Sequence, residues 1–395
     1  MNPGDNLLST DIVFLGMHDW RAIPQRSRHL ATEMATNHRV FYINPVYYSA
    51  PGYIRDVLKG KRLREKCWGV EQVTESLYIM SLPPLFPKGP LYPNIGHLNY
   101  SILLPLIRML LRQFKINNPI LWMSTPPDQW LIGRLGEKFS IYDCMDRHSL
   151  FFTGRISELI SEEEKQMLKR VNLVIASSND LHDHCAQYNS NVHVVRNGVN
   201  PHIFSVDYRA EDDPLQSIPS PRIGYIGYLG PWLDTELLQA LARAYPHTSI
   251  VLVGPIGTGV EMLRQHPNIH LLGEQHYSKL TPYIRDFDVC IIPFRVNDLT
   301  KAVNPIKLYE YLALGKPVVS SALPELEGFQ DITYISYSNE EFLANITAAL
   351  HEVANPDQSQ QQRRIHLAFE NSWYVRARQI DQIIQNHENL AQTTA

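Results

Sequence analysis

The sequence has no run of apolar residues approaching the roughly 20 that a membrane-spanning helix needs. Its first ten residues lack the charged-then-apolar layout of a secretory signal. Both absences predict a chain that is neither integral to a membrane nor exported. The four cysteines, Cys67, Cys144, Cys185 and Cys290, include no CxxC pair. Three of them lie in or beside apolar runs, which predicts buried reduced thiols and a cytoplasmic location rather than disulfides or a metal centre. No His, Asp or Cys cluster has the spacing of metal ligands, so no metal is expected. Low-complexity tracts and sequence repeats are missing too. A basic surplus is also lacking: residues 1–200 hold 22 Lys and Arg against 18 Asp and Glu, and the rest hold 14 against 22. A weakly basic first half and an acidic second half do not make a nucleic-acid binder.

What is present is enough chain for two cores, 395 residues with a hydrophobic content of 44% and a charged content of 19%, the balance of a globular protein. Short apolar runs alternate with helix-length segments. Residues 11–16 and 39–44 read as strands around a helical stretch over 22–37, followed by strands over 120–124, 140–143, 172–176 and 192–195. The pattern restarts at 222–227 and continues through 249–254, 269–272, 288–293 and 317–320. Alternation of this kind requires crossover connections, hence parallel sheets with helices on both faces. Residues 200–220, rich in Pro, Asp and Ser, read as a linker. The expected fold is therefore α/β: two doubly wound Rossmann-like domains, 1–200 and 201–372, facing a central cleft. Residues 373–395 form a terminal helix that either packs back on the first domain or simply ends the second.

The run Asn304-Pro305-Ile306-Lys307-Leu308-Tyr309-Glu310 carries the most chemistry. Asn304 reads as an N-cap and Pro305 as the first helical residue. The backbone N–H groups of Ile306 and Lys307 then point outward from a helix end that carries about half a positive charge. A lysine in the first turn opposes that dipole, and it makes sense if an anion stands in front of the helix. Glu310 shares a face with Lys307; an ordinary surface ion pair is the plain alternative. Arg295 and Lys301 make the preceding loop basic.

The segment "NPIKLYEYLALGKPVV" resembles the donor-binding helix of GT-B glycosyltransferases, in particular the retaining family-4-like group and its teichuronic-acid-type and exopolysaccharide members. Four further segments are similar to that subgroup in order and spacing: Asp19-Trp20 with Gln25-Arg26 and His29-Leu30-Ala31; Tyr142-Asp143-Cys144-Met145-Asp146; Val195-Arg196-Asn197-Gly198-Val199; and Gly227 to Asp234. The resemblance implies a nucleotide diphosphate sugar as donor, UDP by family default, no metal, and Glu310 on the donor ribose. It implies diphosphate contacts from Lys307 and the helix amides. Where many members have a sugar-holding glutamate this chain has Ala302, which leaves Asp298 and Asn304 as sugar contacts. The usual Arg and Lys after Gly227 are absent, so Arg295 and then Lys301 stand in.

Gly16, Gly227 and Gly254 end strands and would let backbone approach a ligand closely. Asp146, Asp19 and His18 are the candidates for catalysis in the first domain; turn capping and a loop histidine are their plain alternatives. Trp20 either stacks on the acceptor or belongs to the core. The acceptor implied is a glycan or a lipid-linked sugar of cell-surface polysaccharide synthesis. The basic run over 53–66 and the apolar, Arg-bearing segment over 102–116 resemble a peripheral surface for an anionic membrane. Two other functions fit the same outline: an epimerase acting on nucleotide sugars through paired carboxylates such as Asp19 and Asp146, and a silent nucleotide-binding subunit.

Overall fold

A computed structural model describes residues 10–45, 69–83, 93–201 and 213–393. The basic run over 53–66, Cys67 and the centre of the expected linker fall outside them. The chain divides into two compact units, Met1–Val195 with Ala377–Ala395, and Arg196–Arg376.

The first unit runs β1 (Asp11–Leu15), α1 (Arg26–Met34), β2 (Arg39–Ile43), β3 (Gly69–Gln72), β4 (Leu77–Ser81), α2 (Pro93–Gln113), β5 (Ile120–Met123), β6 (Phe139–Cys144), α3 (Arg155–Leu168), β7 (Leu173–Ala176), α4 (Asn179–Ala186) and β8 (Val192–Val194). Its sheet has the order β3-β4-β2-β1-β5-β6-β7-β8. Every pairing is parallel except β3 with β4. Strands β1, β5, β6 and β7 are almost wholly buried, as expected when helices cover both faces.

The second unit runs β9 (Arg222–Ile226), α5 (Thr235–Ala244), β10 (Ser249–Val253), β11 (Ile269–Gly273), α6 (Leu280–Arg285), β12 (Val289–Ile292), α7 (Asp298–Lys301), α8 (Ile306–Ala313), β13 (Val318–Ser321), β14 (Tyr334–Ser336), α9 (Asn339–Ala354) and α10 (Gln358–Glu370). Its parallel sheet has the order β11-β10-β9-β12-β13-β14. Each strand expected from the sequence appears within a residue of its place. The hairpin β3-β4 and the three-residue edge strand β14 were not expected. The helix read over 22–37 is confined to Arg26–Met34, because Pro24 excludes the earlier turn.

Helix α11 (Trp373–Thr393) starts in the second unit and ends in the first. Within the first unit Asp381 accepts from Asn37 Nδ2 at 2.8 Å and pairs with His38 at 2.9 Å, Glu388 meets Lys138 at 2.8 Å, and His387 lies edge-on to Phe139. Cys144, Cys185 and Cys290 are buried free thiols, as expected. Among the described residues no helix is long and apolar enough to cross a membrane. Helix α2 turns Leu103, Ile107, Leu110 and Leu111 inward, which is the ordinary role of a sheet-covering helix.

Both sheets reverse direction beside their first strand. β1 lies between β2 and β5, and β9 lies between β10 and β12. Ligands in doubly wound sheets bind beyond the carboxyl ends of strands at such a reversal, which here means the residues after β1 and β5, and those after β9 and β12. The packing under β9 leaves no slack. A Cβ on Gly224 would lie 2.0 Å from the buried Phe287 ring. Gly224→Ala should therefore cost about 1–3 kcal/mol through overpacking, read as a lower urea midpoint at unchanged m-value.

Candidate active site

Parallel pairing of Ile226 with Val253 sets the next residues, Gly227 and Gly254, side by side at the sheet reversal. Gly254 has φ +147, and a Cβ there would lie 2.0 Å from the Gly227 carbonyl oxygen. Gly227 has φ +141, and its missing side chain is the space through which Lys307 passes: a Cβ would meet Lys307 Cε at 2.1 Å. The glycines therefore admit the lysine side chain and each other's backbone, where the sequence suggested close approach to a ligand.

Helix α8 brings Lys307 there. The helix begins at Ile306, with Pro305 at the cap and no side-chain capping bond. This corrects the expected start by one residue. Leu308 N–H donates to Pro305 O at 3.2 Å, so the amides of Ile306 and Lys307 precede the first helical bond, as they do in any helix. Asn304 does not cap the helix, and it is not a sugar contact either. It is 1% exposed and committed to Asn197: Asn197 N–H donates to Asn304 Oδ1 at 2.9 Å, and Asn197 Nδ2 donates to Asn304 O at 2.6 Å. The rest of the helix is fixed by burial of Leu308, Tyr309, Tyr311 and Leu312, with the Tyr311 hydroxyl accepting from Ile226 N–H at 2.9 Å.

The Lys307 ammonium stands 5.6 Å from the Tyr225 ring centroid, in cation–π range. Burial lowers its pKa, and Glu310 opposes that shift. Burial likewise raises the pKa of Glu310, which is 6% exposed, against the opposing pull of Lys307 and a hydrogen bond from Tyr277. Each member of the pair is thus short of solvation and steadied by the other. An anion arriving at Lys307 would add the missing counter-charge, and a hydroxyl arriving at Glu310 would add a donor.

Two residues named from the sequence are placed elsewhere. Arg295 is exposed and reaches Thr235 Oγ1 at 3.4 Å, at the first turn of α5; its backbone N–H is held by Trp232 O at 2.9 Å. Lys301 is exposed and paired with Asp298 at 3.5 Å within α7. A capping box on Asn297 closes the short helix that carries Lys301. Ala302 is 1% exposed, so it is a packing residue. Tyr225 and Tyr277 were not foreseen, because an aromatic inside a strand or a short turn carries no spacing signal.

In the first unit, Gly16 is required by Tyr42, whose ring a Cβ would meet at 2.1 Å. The missing side chain there makes room for the core ring of Tyr42. The Tyr42 hydroxyl donates to His18 O at 2.6 Å and so fixes the turn after β1. Asp19 Oδ1 accepts from Arg21 N–H at 2.8 Å, a turn-capping role. Trp20 packs edge-on to Tyr42, with Arg28 above its ring at 5.1 Å.

Beyond β6, Asp143 is fully buried and accepts from Arg26 Nε at 2.9 Å. Asp146 lies one turn further on, and burial pushes its pKa up to about 7 against the pull of Arg26. His18 is lowered by burial and by His148; His148 is lowered by burial, with Glu164 opposing. Glu164 is held as a carboxylate by Tyr142 at 2.8 Å and His184 at 3.1 Å. Burial thereby favours the protonated form of Asp146 and the neutral imidazoles of His18 and His148.

The raised pKa of Asp146 also links its proton to stability. A carboxyl with a folded pKa of about 7 against 3.8 holds its proton more tightly in the native state. Its contribution is fully present below about pH 4 and is lost as pH rises through 7. Asp146→Asn should therefore flatten the decline of Tm across that window relative to the parent chain, measured by thermal melts from pH 4 to 8.

Residues 220–352 match the family model described as Glycosyl transferases group 1. The chain is 29% identical over 279 residues to the putative teichuronic acid biosynthesis glycosyltransferase TuaH of Bacillus subtilis (strain 168), covering 66% of this chain and 70% of that one. Its fold resembles sucrose-phosphate synthase from Thermosynechococcus elongatus at a TM-score of 0.73 and 14% identity, over 95% of this chain and 98% of that one. It also resembles Anabaena HepE in complex with UDP and glucose at a TM-score of 0.65 and 16% identity, over 95% and 99%. The two parallel sheets are those of the GT-B fold.

Proposed function

We propose that this chain, a GT-B glycosyltransferase with a group 1 domain over residues 220–352, takes its sugar from a nucleotide diphosphate sugar, with UDP as the nucleotide. The acceptor is a glycan or lipid-linked sugar in cell-surface polysaccharide synthesis, and the anomeric configuration is retained. The observation that carries the donor reading is the place of Lys307: a partly buried cation in the first turn of α8, threaded over Gly227 at the sheet reversal. A cation there works against the helix dipole unless an anion joins it. The UDP-bound Anabaena structure supports the nucleotide, and the name of the Bacillus relative supports the pathway.

The chemistry follows from charge. As the anomeric C–O bond breaks, its electron pair stays on the departing diphosphate. The amides of Ile306 and Lys307 and the Lys307 ammonium are already aimed where that charge grows, so no metal is needed to stabilise it. Glu310 accepts from the ribose hydroxyls while the backbone of Gly227 and Gly254 frames the phosphates. The leaving diphosphate itself can take the acceptor's proton on the same face. Asp146, titrating at about 7, is the enzymic group best matched to assist it. His18 and Asp19 shape the turn after β1.

Lys307→Ala and Glu310→Ala should each weaken UDP affinity about 10- to 100-fold, the loss expected when a charge-assisted contact disappears. Titration calorimetry with UDP measures it. Unchanged affinity in both variants would remove the donor reading. Proton NMR of the sugar released from UDP-glucose would show the α-anomer first if configuration is retained.

Peripheral membrane contact belongs to the same proposal. It rests on Ile102 and Met109, exposed on α2 beside Arg108 and Arg112. Flotation with anionic vesicles should carry the protein upward and neutral vesicles should not; no flotation with either sinks this part.

A further inference from the structure

The chain passes between its two units at Val195/Arg196 and again at Arg376/Ala377. On the second unit's side the two passages are one piece of structure. Val199 N–H donates to Asn371 O at 3.1 Å, and Trp373 N–H donates to Val199 O at 2.9 Å. Gly198 allows that approach, since a Cβ there would lie 2.7 Å from Asn371 O and 3.0 Å from Trp373 N. Arg376 then closes the assembly: its Nε donates to Asn197 O at 3.0 Å, and its Nη2 donates to Asn371 Oδ1.

This doubled segment grips the residue that precedes the donor helix. Asn197 holds Asn304 through two hydrogen bonds, of 2.9 and 2.6 Å, across 107 positions of sequence. Asn304 Nδ2 donates to the Tyr309 hydroxyl at 3.1 Å, which ties the clamp to the body of α8. Glu325 anchors the far side, accepting from Arg196 Nε at 2.8 Å and from Asn304 Nδ2 at 3.4 Å. Asn197, Asn304 and Arg376 are all under a tenth exposed, so the bonds among them are made away from solvent. Nothing in a plain surface loop would need such a network, whereas a helix end that must hold an anion within hydrogen-bond distance does.

We infer that Asn197 and Arg376 are positioning residues for the donor site: they fix the entry of α8, and through it the Ile306 and Lys307 amides and the Lys307 ammonium, without touching the donor. The inference rests on the donor reading of Lys307. It accounts for the Asn-Gly pair of the passage by mechanism. Asn197 supplies the clamp, and Gly198 supplies the clearance that lets the second passage deliver Arg376.

Titration calorimetry with UDP on the full chain tests it through a double-mutant cycle of Asn197→Ala and Lys307→Ala. Asn197→Ala alone should lower UDP affinity about 3- to 10-fold, and in the Lys307→Ala background it should cost measurably less, since the ammonium is gone and only the two amides are left to position. Arg376→Lys, which keeps the cation and loses the fork, should give an intermediate affinity with native-like far-UV circular dichroism. This covers the case in which Asn197→Ala does not fold. A purely structural role predicts lower Tm with unchanged UDP affinity in both positioning variants; that result, or effects of Asn197→Ala and Lys307→Ala that simply multiply, overturns the inference. UDP affinity that ignores Lys307→Ala overturns the donor reading and this inference with it. Affinity that responds to Lys307→Ala but ignores Asn197→Ala and Arg376→Lys overturns the clamp alone.

Discussion

A lysine ammonium withdrawn from water governs how the second unit is built. Lys307 cannot reach its place unless residue 227 has no side chain, and Gly227 cannot sit against β10 unless residue 254 has none. Those two glycines follow directly from the parallel register that ends β9 and β10 together. The cation then needs partners that do not neutralise it fully, because a complete ion pair would leave nothing for a ligand to gain. A ring face 5.6 Å away and a neighbouring carboxylate, itself drawn toward its neutral form by burial, supply that partial compensation.

The first unit solves a related problem differently. There the buried carboxylate of Asp143 has its own guanidinium, Arg26, at 2.9 Å, and Glu164 has a tyrosine and a histidine. Burial raises the pKa of both Asp143 and Asp146 against the pull of Arg26, and Asp146, three residues beyond and without the direct hydrogen bond, is pushed up to about 7. Two aspartates three residues apart thus play different parts. Asp143 braces the start of α1 against the end of β6, and Asp146 is the group we propose for proton exchange.

The strands were legible because parallel, doubly covered strands must be unbroken apolar runs, and those runs survive in the sequence as such. The donor helix was legible for a different reason. Lys307 in a first turn contradicts the dipole rule, and a contradiction of that kind points to function. What escaped were contacts over long separations. Asn304 beside Pro305 has every local mark of a cap, yet Asn197 outbids the helix for its side chain from 107 residues away. The contact of Arg295 with Thr235, 60 positions away, was equally illegible from its charge alone. Gly16 looked like Gly227, both ending a strand at a sheet reversal. Only the tyrosine on the adjacent strand shows that one glycine serves the core and the other admits a functional side chain.

The division between Lys307 and Arg295 bears on how such a site discriminates. A diphosphate clamp made of two flexible cations would grip charge in many poses. Here a single ammonium is fixed by a glycine gap, a ring face and a clamped helix entry, so in the donor site we propose recognition would fall to directed backbone N–H groups and to Glu310. Directed donors reward one phosphate geometry, whereas loose cations reward any. The tyrosines around the helix fit the same logic: Tyr311 binds the last amide of β9, Tyr277 steadies Glu310, and Tyr225 faces the ammonium. Neutral, rigid and buried, they hold the geometry without adding charge. In the proposed donor site the helix would thus select by position, with the buried asparagine pair holding the segment that leads into it.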